Sequence, residues 1–503
     1  MTDQAPADPA DRDALPAILA GTPSASVAGQ VRRGVAWTAG SRMLIQVVQV
    51  GATAVLARLL SPAEYGLSAL VAVVTGFAAI LVDLGIAASV VQRKDLTARY
   101  LDTAFWLNLS IGLVMAGLVC AVAVPTAAFF DQPALVGLML LSSLTFVLSL
   151  NGVHVSVMQR ALAFGRLSRM NVVSTTVGLV ASIVAAALGL GAASLVLGPV
   201  VQRATSVVQV WWAVRWVPRW RFAPDDARDV WAFGRGLTGS NVLNYWVASA
   251  DRVLLGRLVS VTDLGFYNRA TNLMQLPLQQ TTRTLSTVFF PALATMSTDL
   301  PRLTNAWLRL VRAAWIVGLP AGVGLLLISR DAVPVLYGPG WGPVVPILMV
   351  LSAGVPFLIL GMTTGPAYQA LGRTGLQFRV GLVSSALAVV GLVIGVRWGV
   401  IGVAVAVAVR ALVQLLLSMG VLLRLIGLPL GRLLAVLWRA ALAGLMMAGA
   451  VGGAVVATEA MPHAPALGIQ VAVGALVYGA VAWWLERDTL RELMGRRARR
   501  PKT

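Results

Sequence analysis

Five arginines interrupt long apolar stretches of this sequence, and their side chains are the groups best suited to chemistry. They are Arg42, Arg203, Arg269, Arg283 and Arg410. Arginine keeps its charge in surroundings of low dielectric constant and binds phosphate oxygens through a two-pronged fork of N–H groups. We therefore interpret these arginines as candidate ligands for an anionic substrate that carries a pyrophosphate. Arg203 and Arg410 lead the set because each lies near the middle of its stretch.

A structural explanation competes with this one. An arginine in an apolar stretch can extend its head to lipid headgroups, form an ion pair, or lie beyond the true end of a helix. Arg252, for example, could simply balance the adjacent Asp251. Asp83 and Asp251 are in turn candidates for coupling to a proton or a sodium ion, although a structural pair between Asp83 and Arg42 is an equal alternative. Apart from such a coupling ion, the sequence predicts no cofactor and no metal site.

The residues that common enzyme sites require are missing or scattered. Cys120 is the single cysteine, which excludes an internal disulfide and a cysteine-bound metal cluster. The two histidines, His154 and His463, cannot form an HExxH site, and the sequence lacks the GxxxxGK[ST] loop of ATP-driven pumps. We interpret Asp225 and Asp226 as the acidic start of a helix rather than as a sugar-nucleotide site. The sequence therefore predicts that the protein is not an enzyme.

The composition places these charges in a membrane protein. Of 503 residues, 58% are hydrophobic and 12% are charged, whereas soluble domains average about 45–50% and about 25%. The formal net charge is nevertheless +19, from 39 basic and 20 acidic residues. Because Lys94 and Lys502 are the only lysines, the sequence lacks the lysine-rich surface expected of a basic nucleic-acid-binding protein. We expect an integral membrane protein with no nucleic-acid partner.

Fourteen apolar stretches are long enough to cross a bilayer as helices, which takes about 20 residues each. The connections between them are short, so the predicted fold class is an all-α integral membrane protein. The predicted spans cover residues 34–58, 66–91, 104–128, 134–157, 170–188, 192–214, 231–256, 264–290, 308–328, 341–363, 376–396, 399–422, 433–457 and 466–485.

The placement of basic residues predicts the orientation of these spans. Cytoplasmic loops of membrane proteins are enriched in lysine and arginine. With the N-terminus inside, the basic clusters at 93–99, 160–169, 215–228 and 487–502 all fall on the inner side, and the outer segments hold few. Tryptophans gather at predicted inner ends near 211–220, as interfacial belts do. We therefore predict a plasma-membrane protein with both termini in the cytoplasm.

The sequence also contains an internal repeat. A shift of 199 positions aligns Ser61 with Ser260, within the shared loop pattern R-L-x-S-x-x-E/D-x-G that starts at Arg58 and at Arg257. The two copies begin six spans apart, so both enter the membrane in the same direction. This predicts two parallel six-helix lobes that face a central cleft, followed by two additional helices.

The repeat and the charge pattern together set the predicted domain boundaries. Residues 1–30 are rich in aspartate and proline, and we expect a disordered cytoplasmic tail there. The remaining divisions are an N-lobe at 31–217, a cytoplasmic linker at 218–230, a C-lobe at 231–424, two further spans within 425–486 and a basic tail at 487–503.

Several short stretches in both lobes carry a family resemblance. They are Ala57–Gly66 (ARLLSPAEYG), Asp251–Arg257 (DRVLLGR), Gly265–Ala270 (GFYNRA), Val335–Gly338 (VLYG) with Trp341, and Ala370–Arg373 (ALGR). These stretches resemble the polysaccharide flippases of the multidrug/oligosaccharidyl-lipid/polysaccharide exporter superfamily, in particular its colanic-acid-type lipopolysaccharide exporters. The resemblance implies a MurJ/MATE-like fold, a cationic lumen and coupling to a cation gradient. It also implies transfer of an undecaprenyl-pyrophosphate-linked oligosaccharide from the inner to the outer leaflet of a bacterial plasma membrane.

The functional hypothesis is therefore a flippase that works by alternating access in surface or exopolysaccharide synthesis. Its expected partners are the lipid-linked oligosaccharide, membrane lipids, and a polysaccharide polymerase or export machinery. A cation-coupled multidrug exporter of the same fold is the first alternative, which the excess of arginine over aspartate within the spans disfavours. An integral-membrane glycosyltransferase or polymerase is the second alternative, which the short outer loops disfavour.

Overall fold

The computed structural model describes residues 27–83, 86–93, 96–284, 293, 295–296 and 299–493. Its regular structure over these residues is helical throughout, so the all-α prediction is confirmed. The helices are α1 (Val27–Leu59), α2 (Pro62–Asp83), α3 (Ile86–Gln92), α4 (Ala98–Ala121), α5 (Ala123–Phe130), α6 (Ala134–Val147), α7 (Gly152–Arg160), α8 (Phe164–Ala187), α9 (Ala192–Val214), α10 (Pro224–Leu258), α11 (Val261–Thr284), α12 (Leu300–Tyr337), α13 (Val344–Met362), α14 (Thr364–Ala370), α15 (Thr374–Gly395), α16 (Gly399–Ile426), α17 (Leu430–Ala457) and α18 (His463–Leu493).

Over the described residues the predicted spans overlap these helices, with two internal breaks, while residues 285–290 of the eighth span lie outside the described part of the chain. The sixth span, 192–214, coincides with α9 at both ends. The third and fourth spans are each divided into two consecutive helices, which are α4 with α5 and α6 with α7. In the second span, residues 84–85 between α2 and α3 lie outside the described residues. Of the tail predicted at 1–30, residues 27–30 already belong to α1, and residues 1–26 lie outside the described part of the chain.

The fourteen predicted membrane crossings can be compared with the helices that are long and apolar enough to span a bilayer. By length and composition, ten helical stretches of the described chain are able to cross a membrane. One of the ten, Thr374–Ile426, is 53 residues long and would reach about 80 Å as one straight helix, far more than the roughly 30 Å of a bilayer core. The chain breaks this stretch at Gly399, whose φ of 66° is open to glycine. It therefore holds two of the predicted spans, in α15 and α16.

Three more predicted spans correspond to helices that are too polar to be among the ten. These are α9, α10 and α11. Helix α9, for example, carries Gln202, Arg203 and Gln209. Polar side chains in a membrane helix face a cavity or a partner rather than lipid, so the polarity of these helices points to the part of the molecule where a site should be sought.

By its internal contacts the chain divides into two compact units, Met1–Arg257 and Leu258–Thr503. Within the first unit, α8 packs against both α1 and α9, while α6 packs against α2, α4 and α9. Helices α8 and α9 approach closely because each has a glycine at the contact: a Cβ on Gly178 would lie 2.7 Å from the carbonyl oxygen of Gly198.

Helix α10 is bonded to the first unit at its start and near its middle. Asp226 in its first turn pairs with Arg93 and Arg99, at 3.7 Å and 3.3 Å. Farther along, Tyr245 donates its hydroxyl hydrogen to the carbonyl oxygen of Val73 on α2 at 2.7 Å, over the space left by Gly76. Because of these bonds, the boundary between the two compact units falls after Arg257. The sequence instead predicts the boundary between the lobes at the 218–230 linker. The predicted lobes remain a prediction.

The repeated loop motif forms the same local structure in both copies. Before α2, Ser61 donates its backbone N–H and its hydroxyl to Glu64, at 2.6 Å and 2.9 Å. Before α11, Ser260 donates its hydroxyl to Asp263 at 2.7 Å, and the backbone N–H of Asp263 donates to the Ser260 hydroxyl at 2.9 Å. Such reciprocal bonds satisfy the free N–H groups at a helix start. The conserved spacing of the two copies is therefore a helix-capping signal rather than a ligand site.

In the second unit, α13 lies at the centre and packs against α11, α12 and α16. The two C-terminal helices, α17 and α18, pack against α12. Trp315 of α12 donates its indole N–H to the carbonyl oxygen of Leu437 at 3.1 Å, and Tyr478 donates to that of Ile316 at 2.6 Å. At the far end of α12, Asp331 accepts from Gln470 at 2.7 Å. The C-terminal pair is thus held along the length of one helix.

Candidate functional site

The first unit contains a cavity of about 730 Å³, here called the chamber, whose lining combines apolar side chains with a set of polar ones. Its walls come from α2, α4, α6, α7 and α9, the helices that surround the breaks between α6 and α7. Hydroxyl and amide groups dominate its polar lining, and Arg203 is the one charged side chain among the described lining residues. The polar lining consists of Ser68, Thr75, Asn108, Ser142, Thr145, Ser149, Asn151, Ser156, Gln159 and Arg203.

Arg203 is placed in the chamber by the packing of α9. One turn earlier lies Pro199, which also lines the chamber. The neighbouring Gln202 donates its amide hydrogen to the hydroxyl of Thr175 on α8 at 3.0 Å. At the next turn, Ser206 accepts from the amide of Asn151 at 3.0 Å. These bonds on either side of Arg203 fix the rotation of α9, so its half-buried guanidinium faces the chamber.

A second cavity, of about 360 Å³, adjoins the chamber and contains Arg42. It lies among α1, α7, α8 and α9, and Val155 and Gln159 line both cavities. The hydroxyls of Thr38 and Ser168 lie 3.3 Å apart in its wall. The structure thus places Arg42 and Arg203, which are far apart in sequence, in two cavities that share one wall.

A third cavity of the same unit lies beside the second. It measures about 570 Å³, lies between α1 and α8, and shares Ser41 with the second cavity. Its other walls are apolar side chains, among them Trp37, Leu44 and Val173, with Arg169 at its edge. The three cavities are therefore neighbours that share lining residues: the chamber, a cavity that contains Arg42, and a groove with mainly apolar walls.

The remaining candidate arginines belong to the second unit. Arg410 is half-buried on α16, and its Nε is a buried donor without a hydrogen-bond partner in the part of the chain that the structure describes. Arg269 is half-buried on α11, where its carbonyl oxygen accepts from Tyr337 at 3.3 Å. Arg283 lies in the last turn of α11, and its side chain is outside the described residues.

The two candidate carboxylates occupy different local settings. Asp251 is half-buried on α10, and its carboxylate accepts from the backbone N–H of Arg252 at 2.8 Å. Asp83 is the last described residue of α2, and its side chain is outside the described residues. The pair of Asp83 with Arg42 therefore stays a prediction.

Several charged or aromatic residues of the sequence have structural roles. His154 is fully buried, stacks on Trp211 with ring centroids 4.7 Å apart, and bonds to the carbonyl oxygen of Trp216 at 3.1 Å. Asp226 forms the ion pairs that hold the start of α10, so the acidic pair predicted to start this helix does so. Neither residue lines the chamber.

Sequence reasoning missed the uncharged lining of the chamber. Serine, threonine and asparagine are ordinary in membrane helices, so none of these residues stands out singly as arginine does. A signal was present in their density: Ser149, Asn151, Ser156 and Gln159 fall within eleven consecutive residues around the break before α7. A break in a helix combined with clustered hydroxyl and amide groups indicates a lined cavity.

Comparison with known proteins places this chain in a family. A family model described as polysaccharide biosynthesis protein matches residues 55–346, which is more than half of the chain. The protein belongs to that family. Among its curated relatives is the lipopolysaccharide biosynthesis protein WzxC of Escherichia coli, 26% identical over 78% of this chain and 80% of WzxC. The teichuronic acid biosynthesis protein TuaB of Bacillus subtilis is 27% identical over 70% of this chain and 74% of TuaB.

Solved structures identify the fold. The lipid II flippase MurJ, in an inward closed conformation, superposes with a TM-score of 0.68 over 90% of this chain and 99% of MurJ, at 16% identity. An inward-facing multidrug resistance MATE family transporter of the MOP superfamily gives 0.60 over 76% of this chain and 94% of that chain, at 14% identity. The MurJ/MATE-like fold predicted from the sequence is confirmed, and the chain is a multi-pass membrane protein.

Proposed function

We propose that the protein is a flippase for a polyprenyl-pyrophosphate-linked oligosaccharide. It moves this lipid from the inner to the outer leaflet of the bacterial plasma membrane, by alternating access, in the synthesis of a surface or exported polysaccharide. Membership of the polysaccharide biosynthesis protein family supports this proposal, as do relatives named for lipopolysaccharide and teichuronic acid biosynthesis and a fold shared with a lipid flippase. In this role the protein carries its substrate and does not alter it chemically.

The observation that carries the proposal is the chemistry of the chamber. A pyrophosphate requires a cation, which Arg203 and Arg42 provide in adjoining cavities. A saccharide presents many hydroxyl groups that both donate and accept, and serine, threonine, asparagine and glutamine side chains match them. The apolar groove between α1 and α8 offers the polyprenyl chain a surface that remains outside the chamber. Headgroup and tail therefore each meet a surface of suitable polarity.

A multidrug exporter with the same fold fits the chamber less well. Export of cationic drugs calls for a carboxylate to balance their charge, and the described residues that line the chamber include an arginine and no carboxylate. The likeness to a MATE transporter concerns the fold. We therefore retain drug export as the alternative that a transport assay should exclude.

The same proposal includes the side of the membrane on which the termini lie, the ion that drives transport and the partner that receives the product. The termini lie in the cytoplasm, as the distribution of arginine over the loops predicts. A proton or sodium gradient drives the cycle, with Asp251 and Asp83 as candidate coupling residues. The protein hands its product to a polysaccharide polymerase or export machinery, which must act on the outer leaflet.

A gene deletion with complementation tests the proposal. Cells that lack the protein should lose the surface polysaccharide and accumulate lipid-linked repeat units on the cytoplasmic side. Arg203→Ala and Arg410→Ala should fail to restore export although immunoblots find each variant in the membrane, and Arg203→Lys should restore it partly because it keeps the charge but loses the fork. Arg166→Ala, at an exposed position on α8, is the matched control. Normal polysaccharide in the deletion strain would refute the flippase, whereas full activity of both alanine variants would refute only the site.

A further inference from the structure

The segment that joins α9 to α10 forms a fixed strap across one end of the first unit. It begins where Arg215 takes the left-handed conformation, with φ of 51°, and turns the chain out of α9. Residues 215–223 then run without helical structure to the start of α10 at Pro224. The sequence places a linker at 218–230, so the strap starts earlier and the second half of the predicted linker is already helical.

Hydrogen bonds from three residues of helix α4 hold the strap in place. The buried carboxylate of Asp102 accepts from the backbone N–H of Arg219 at 3.0 Å, and Trp106 donates its indole N–H to the carbonyl oxygen of the same residue at 2.8 Å. The hydroxyl of Thr103 accepts from the backbone N–H of Ala223 at 3.1 Å. The indole rings of Trp106 and Trp220 stack with centroids 4.0 Å apart. Because these bonds hold the strap against α4, its inner face is the one that packs on the first unit and its outer face is the one that is exposed.

The outer face of the strap is both basic and aromatic. Residues alternate between the two faces: Val214, Trp216 and Pro218 are buried, whereas Arg215, Val217 and Arg219 are exposed. Beyond them Arg221 and Phe222 are also exposed, and Trp220 is 88% exposed. Trp212, in the last turn of α9, is 77% exposed. Three arginines and three large aromatic side chains are therefore exposed within the eleven residues 212–222, and residues 215–223 contain no acidic residue.

This surface lies at the level of one end of a helix that is able to cross a membrane. Gln209 in the last turns of α9 donates to the carbonyl oxygen of Met170 at 3.5 Å, which places the end of α9 beside the first turns of α8. Helix α8 is one of the ten stretches able to cross a membrane. Exposed tryptophans at such a boundary occupy the headgroup layer, and clustered arginines there attract anionic lipids.

We propose that the outer face of the strap is a binding surface for the headgroups of anionic phospholipids. The arginines at 215, 219 and 221 pair with lipid phosphates, while Trp212, Trp220 and Phe222 insert between the headgroups. The occupant is a membrane lipid rather than a soluble phosphate, because the aromatic side chains need an apolar layer beside the charge. This surface is separate from the chamber, so the inference does not depend on which substrate the protein carries.

Native mass spectrometry of the full-length protein in detergent tests this surface, with dioleoylphosphatidylglycerol and dioleoylphosphatidylcholine as probes. The wild-type protein should retain the anionic lipid in preference, and R215Q/R219Q/R221Q should weaken that binding at least about tenfold, since each arginine near an anionic surface is worth roughly fivefold. The matched control, R302Q/R309Q/R373Q, removes three exposed arginines of the second unit and should change the binding less than about twofold.

Two further arms make the result decisive. R215K/R219K/R221K keeps the charge and should retain the preference, which separates charge from a change in the fold of the strap. Glycerol 1-phosphate at a large excess should not displace the lipid, because it lacks the apolar part. Equal affinity of the glutamine variant and the wild-type protein for phosphatidylglycerol would overturn the proposal. Displacement by glycerol phosphate would also overturn it, in favour of a simple anion site, and so would equal retention of phosphatidylcholine.

Discussion

A single buried carboxylate, Asp226, joins the start of α10 to two arginines. Its oxygens lie 3.3 Å from Nε of Arg99 and 3.7 Å from Nη2 of Arg93. The side chain of Asp226 is 7% exposed, whereas those of Arg93 and Arg99 are 25% and 57% exposed. A carboxylate buried to this extent depends on its partners for stability, and the exposure of the arginines limits the strength of the pairs through solvent screening.

Asp226→Asn should therefore lower the stability of the protein by about 1–3 kcal/mol, because it removes the charge that both arginines face. Its neighbour provides the control: Asp225 pairs with Arg228 at 3.4 Å, but the two side chains are 90% and 82% exposed. Asp225→Asn should leave the melting temperature of the purified protein unchanged. Thermal unfolding of both variants in detergent checks this, and equal melting temperatures would show that the buried pairs contribute nothing measurable.

At the level of helices, the position of Arg203 depends on how closely α8 and α9 pack. A Cβ on Gly178 would lie 2.7 Å from Cβ of Gln202, the residue before Arg203. Real Cβ atoms do not approach so closely, so any larger residue at this position must push the helices apart. The glycine is therefore part of the geometry of the chamber although it does not line it.

We expect Gly178→Ala to destabilise the protein by about 1–3 kcal/mol through overpacking, and to reduce polysaccharide export because Arg203 moves with its helix. Gly117 on α4 gives a matched control, since a Cβ there has nothing within 4 Å. Gly117→Ala should be neutral, or stabilising by up to about 1 kcal/mol through helix propensity. A Gly178→Ala variant with wild-type melting temperature and export would contradict the role given to this contact.

Much of the helical pattern could be predicted from the sequence, because long apolar runs separated by polar residues are an unmistakable signal. Helix α9 begins and ends where the apolar run does, at Ala192 and Val214. The breaks within runs were not predicted, although the sequence holds a local cause for them. Helix α4 gives way to α5 at Val122 because Pro125, in the first turn of α5, has no N–H to donate to the carbonyl oxygen of Ala121. Helix α7 likewise begins at Gly152, a residue type that disfavours a continuous helix.

The candidate site was likewise predicted only in part from the sequence. Arg203 and Arg42 stand out in sequence because a charge in an apolar run is costly and needs an explanation, and the structure places both in cavities of the first unit. The uncharged lining, such as Asn108 and Ser156, was not predicted because hydroxyl and amide groups carry little cost in a helix. Which faces of α2, α4 and α6 meet around the chamber is decided by packing alone.

At the scale of the whole molecule, labelling of single cysteines tests the predicted orientation of the protein in the membrane. In a Cys120→Ser background, which removes the one native cysteine, we expect Glu459→Cys to react with a membrane-impermeant maleimide in intact cells. We expect Arg373→Cys to react only after the cells are lysed. Both positions are exposed, so access depends on the side of the membrane and not on burial.

This pair of variants also tests the number of crossings. Positions 373 and 459 are separated by three of the predicted spans, so they must lie on opposite sides if fourteen spans are correct. Labelling of both positions in intact cells, or of neither, would show that the stretch between them crosses the membrane an even number of times. The loop arginines would then have to be reassigned along the rest of the chain.

The two helix-capping motifs, at Ser61–Glu64 and at Ser260–Asp263, bear on how the chain enters the bilayer. Each motif joins a hydroxyl, a carboxylate and backbone N–H groups within four consecutive residues. A helix that begins with such a motif leaves the translocon with the polar groups of its first turn already bonded, before later helices have been synthesised. Helices α2 and α11 can thus enter the bilayer with their first turns already capped, and the start of the second copy can repeat during synthesis the step that occurred in the first.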